Sequence, residues 1–142
     1  MKFFILLPIV LLLSACISPN TKDEFFSKGN ATPEISISAP LNEVEGAVDS
    51  YISKCFANTE TIVNGVSSLA LFSVEKVEHP DEKGVWVKQW INGGYFHLVY
   101  FKLSVNSHGK GVLSAIERPK LGTIYDELEV MAKGDVPNCE LI

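Results

Sequence analysis

Between residues 42 and 56 the apolar side chains recur at helical spacing: Val44, Ala47, Val48, Tyr51, Ile52 and Cys55 make one stripe. Asn42 with Glu45 three residues on is a capping-box spacing, so the pattern predicts a helix over 42–56. Glu43, Glu45 and Asp49 sit toward its positive end and Lys54 toward its negative end. Ahead of it, residues 34–38 alternate apolar and polar, which predicts a short edge strand stopped by Pro40. Behind it, residues 66–77 are rich in β-branched and apolar side chains. Turn chemistry at 79–84 then separates them from a second strand, 85–91. Asn92-Gly93-Gly94 is a hairpin signal leading into strand 95–105, and a turn over 106–111 precedes strand 112–118. Asn64-Gly65 offers one further hairpin. A second helix is predicted from Thr123, with Asp126 at its cap, a stripe of Ile124, Leu128 and Met131, and a stop at Lys133-Gly134. The order predicts an α+β fold: an antiparallel meander sheet of three to five strands with two helices packed on one face.

The central strands carry more apolar side chains than one covered face needs. A two-residue loop at Asn92-Gly93 or Gly93-Gly94 puts Trp86, Lys88 and Trp90 on one face with Tyr95, His97, Val99, Phe101 and Leu103. Val85, Val87, Ile91, Phe96, Leu98 and Tyr100 fall on the other. An antiparallel sheet covered on one side shows cleaner alternation. Three explanations remain open: the second face is covered by the tether or loops, it binds another protein, or the sheet wraps an apolar cavity. Trp86, Lys88, Trp90, Tyr95, His97 and Phe101 are accordingly the candidate partner-binding residues, with the two tryptophans expected to be partly exposed.

The N-terminus has its own pattern. Lys2 precedes an apolar run over residues 3–13, too short to span a bilayer core and of the right length for a secretory signal. The run ends in Leu13-Ser14-Ala15-Cys16, which resembles a bacterial lipobox. That resemblance implies a signal peptide over 1–15 and acyl chains on the sulfur and the new amine of Cys16. Ile17 stands where aspartate would mark inner-membrane retention, so it also implies delivery to the outer membrane, with the protein facing the periplasm. Residues 16–33, rich in Ser, Asn, Thr, Lys, Gly and Pro, are expected to be the lipidated N-terminus and a flexible tether. In that tether Phe25-Phe26 stands out, as a contact onto the domain or the lipid or as a docking motif. Residues 34–142 are expected to form a single globular domain. Their element order is similar to that of the small helix-grip domains of outer-membrane assembly lipoproteins.

The formal charge of −5, without a Lys/Arg cluster, argues against nucleic acid as a partner and against electrostatic binding to anionic lipid. With Cys16 acylated, Cys55 and Cys139 remain and are expected to pair in an oxidising compartment. The three histidines show no ligand spacing with these cysteines, so no metal or cofactor is expected. The chain lacks a nucleophile elbow, a His-Glu-x-x-His motif and a phosphate-cradling loop. The expectation is a non-enzymatic, lipid-anchored module that binds an envelope protein. The alternative is a carrier or sensor of an apolar ligand held between sheet and helix.

Overall fold

The computed structural model describes residues 21–91, 93–119 and 124–139. The expected signal peptide, residues 1–15, and the expected lipidation site Cys16 lie outside them. Helix α1 (Lys22–Lys28) comes first, followed by strands β1 (Asn30–Ala31) and β2 (Ile35–Ser36) and helix α2 (Leu41–Cys55). Strands β3 (Thr59–Val63), β4 (Val66–His79), β5 (Glu82–Ile91), β6 (Gly94–Val105) and β7 (Gly111–Glu117) follow, and helix α3 (Tyr125–Met131) completes the order. All the strands pair antiparallel in the order β1-β7-β6-β5-β4-β3, with β2 beside β1 along β7. The fold of the described residues is therefore mixed α+β with seven strands, more than the three to five expected.

The tether reading fails from Thr21 onward, because that stretch is folded. The Thr21 hydroxyl caps α1 by accepting from the Glu24 amide at 3.2 Å. Glu24 also pairs with Lys28 one turn later, and Phe25 is buried. Gly29 ends the helix at a place where a Cβ would lie 2.5 Å from Ile116 Cγ2, so a larger residue would force the chain off β7. Conversely, α2 starts one residue before the expected Asn42. Pro40 is its N-cap, without a side-chain cap bond, and its fixed φ of −54° sets the entry. The stripe read from the sequence is the one buried.

Both hairpin signals are used. Val63 pairs with Val66 across Asn64-Gly65, both at positive φ, and Ile91 pairs with Gly94 across a two-residue loop. Between Val87 and Lys88 the β5–β6 register shifts: Val87 faces Val99, Lys88 faces His97, and Leu98 is the extra residue. Beyond this bulge Trp86 lies opposite Tyr100, and Phe101 lies opposite Val85. The expected face partners of Trp86 are corrected accordingly, and Phe101 leaves the candidate face altogether.

The buried residues form two clusters, one on each side of the sheet. Val44, Val48, Tyr51 and Ile52 of α2 and Leu128 and Met131 of α3 share one with Val85, Val87, Val99, Phe101 and Leu113. Phe25 of α1 shares the other with Trp86 and Tyr100. Cys55 and Cys139 form a disulfide with Cα atoms 5.3 Å apart, joining the end of α2 to the segment after α3.

Candidate functional site: two bare apolar surfaces

The bulge splits the six candidate residues. Phe101 is fully buried against Tyr51, with ring centroids 6.2 Å apart. Trp86, expected to be partly exposed, is only 2 % exposed. Phe25 and Phe26 of α1 lie over it at 5.3 and 5.2 Å, Tyr100 at 4.4 Å and His97, itself buried, at 4.7 Å. Lys22 reaches over the same indole, 5.3 Å from its centroid, and bonds Glu75 at 2.8 Å. Lys88 pairs with Glu75 as well. The hydrogen bonds from Lys22 and Lys88 hold the Glu75 carboxyl down to about 2, so it stays charged at neutral pH. Cover by the segment read as tether thus accounts for the Trp86 end of this face.

The Trp90 end is bare. Trp90 is 42 % exposed and Tyr95, its cross-strand partner, 47 %, with ring centroids 5.0 Å apart. Leu71 lies opposite Trp90, and Leu69 two residues back on β4 is 57 % exposed. Ile62 of β3, on the same face, is 69 % exposed. These side chains share one face across four strands, with Glu60 opposite Leu69 and Ser67 opposite Ile62.

A second apolar surface lies at the other end of the sheet, about 30 Å away along β5. There a groove of about 410 Å³ is floored by Ile37, Ala39, Leu41, Leu103 and Val105 and rimmed by the β4–β5 turn. Leu41 and Val105 are exposed. On the rim, Lys83 pairs with Glu45 at 2.6 Å and Glu82 accepts from the Tyr100 hydroxyl at 2.8 Å, so both are engaged in structure. Sequence reading missed this groove because its walls come from segments far apart in the chain. The one local signal was apolar Leu41 placed after Pro40.

Under α3 two acids are buried. Glu117 Oε2 accepts from the Ile124 amide at 3.1 Å, and Glu127 is buried near it. Burial raises the Glu117 carboxyl above its ordinary value; the Ile124 amide pulls it partly back and Glu127 pushes it up again. Its contribution to stability is therefore full below the unfolded value near 4.5 and is lost as pH rises through the raised folded value. Glu117→Gln cannot ionise. Its melting temperature should decline less than that of the wild type between about pH 4 and about pH 8. Parallel slopes in thermal melts would show that Glu117 does not titrate as its burial requires.

Among the described residues no group of three or more His, Cys, Asp or Glu is placed to hold a metal ion. None of the helices among the described residues is long and apolar enough to cross a membrane. Compared with family models, curated proteins and solved structures, the chain has no match.

Proposed function

We propose that this chain is an envelope lipoprotein, held in the outer membrane by acyl chains on Cys16 with its domain facing the periplasm. The domain acts as a non-enzymatic module that binds an envelope protein. The basic start, the apolar run and Leu13-Ser14-Ala15-Cys16 support the anchor. The observation that carries the binding role is the groove, which has an apolar floor and a rim holding His79, Asp81, Glu82 and Lys83. That chemistry suits an apolar side chain on a partner loop, flanked by charged residues of either sign.

The test is a photo-crosslinking residue at Leu41 in the full, membrane-bound protein. The expected result is an adduct with one defined envelope protein that Val105→Glu abolishes and Trp90→Ser leaves in place. An adduct indifferent to Val105→Glu, or none at all, would sink the groove as a docking site.

A second reading has one observation in its favour. The groove volume of about 410 Å³ falls within the usual range for small-molecule sites. Native mass spectrometry decides it: an apolar carrier releases a bound lipid-like molecule that Leu41→Asp no longer holds, whereas a protein-binding module releases none.

A further inference from the structure

We infer that, in the anchored protein, the bare stripe of Ile62, Leu69, Leu71, Trp90 and Tyr95 lies in the headgroup region of the same bilayer that holds the Cys16 lipid. This rests on the anchor reading above and goes beyond it, because a lipid on a long tether would leave the domain free to turn.

The tether is short. Only five peptide units separate Cys16 from Thr21, the cap of α1. Fully extended they reach at most about 18 Å. The point they start from is fixed: Lys22 is pinned over Trp86 and bonded to Glu75, and Phe25 is buried in the same face of the sheet. To lie beside α2, the lipid would have to pass the α1 layer, the sheet and then α2, itself about 10–12 Å thick. The chain is too short for that route, so the membrane meets the domain on the α1 side.

On that side the stripe is an uncovered apolar stretch, whereas a separate open groove at the other end, beside Phe26, is lined by Glu82, Lys102 and Ser114. Trp86 and Trp90 point to the same face of β5 and lie about 13 Å apart, within the compass of the tether. Among the described residues at this end of the face, from β3 to β6, the charged side chains are Glu60, whose carboxylate accepts from the Ser67 hydroxyl, and Lys88, two residues before Trp90 and paired with Glu75. The remainder is aliphatic, hydroxyl or aromatic. Trp and Tyr beside Leu and Ile is the composition that settles at the boundary between headgroups and acyl chains, where an indole or phenol keeps its polar edge in water. An apolar stripe of this extent is also costly to leave in water. The bilayer needs no further component to cover it. The tilt that lowers the stripe lifts the groove at the far end of β5 toward the periplasm, where a partner could reach it.

The experiment uses the chain's two tryptophans. The full acylated protein is incorporated into vesicles of phosphatidylethanolamine and phosphatidylglycerol in which a fraction of the acyl chains is brominated near the headgroup. Bromine quenches an indole in contact with it. The expected result is that wild-type emission falls with brominated lipid and that this loss disappears in Trp90→Phe, whose remaining tryptophan is shielded by α1. If the protein floats with the vesicles but Trp90 is unquenched, the anchor reading stands and this inference is overturned; a crosslink from position 90 to a protein overturns it equally. If the protein does not float with the vesicles, the anchor reading fails and takes the inference with it.

Discussion

Replacing Cys139 by Ser should lower the melting temperature by on the order of 10 °C, with a loss of about 2–5 kcal/mol. The bond to Cys55 spans a sequence separation of 84 residues. For a loop of that length the chain-entropy account gives about 4–5 kcal/mol. Cys139 is the better partner to change because it is exposed, whereas Cys55 is buried on the α2 stripe and its loss would also disturb packing. The measurement is a pair of thermal melts, with and without reductant, on both proteins. Reductant should lower the wild type to the level of Cys139→Ser and leave the variant unmoved. A wild type that melts alike in both conditions would mean that the bond contributes nothing.

Phe25→Ala should undock α1. Phe25 is almost wholly buried against Trp86 and Tyr100, and removal of such a ring costs about 3–5 kcal/mol. The lower part of that range applies, since α1 is terminal and can lift away without unfolding the sheet. Isolated, α1 has seven residues and cannot hold its shape in water. Two readouts separate this from general destabilisation. The emission of Trp86 should shift to the red, because the indole becomes wet. The melting of α2 and the sheet should move by less than the cost of the ring. An unshifted spectrum would show that α1 stays docked without its anchor ring.

Elements whose signals are local were legible in the chain. The α2 stripe, from Val44 to Cys55, needed only period and spacing, and Asn64-Gly65 announced its hairpin through residues that tolerate positive φ. What failed depended on partners elsewhere. The segment before residue 33 looked like a tether because its composition is polar, yet Thr21 and Glu24 stand at a cap spacing just ahead of Phe25-Phe26. Its folding is decided by the packing of Phe25 against Trp86 and Tyr100, far along the chain, which no local pattern describes. The same cap spacing at Asn42 and Glu45 goes unused, because Pro40 already sets the entry to α2. The bulge at Leu98 carries no sequence mark, and one extra residue exchanges the faces of everything beyond it. That slip is why Phe101 was grouped with the tryptophans although it packs against Tyr51.

The disulfide has a mechanical consequence. Tension applied through the residues before Thr21 would load α1 first and then β1, which meets β7 at only two residue pairs. Those attachments come under strain one after another and would peel in turn, followed by β2 and α2. Extension would stop at Cys55, because β3 to β7 and α3 all lie within the covalent loop closed at Cys139. A domain pulled away from its membrane would thus yield in a few small steps over a bounded length and then hold as a taut ring.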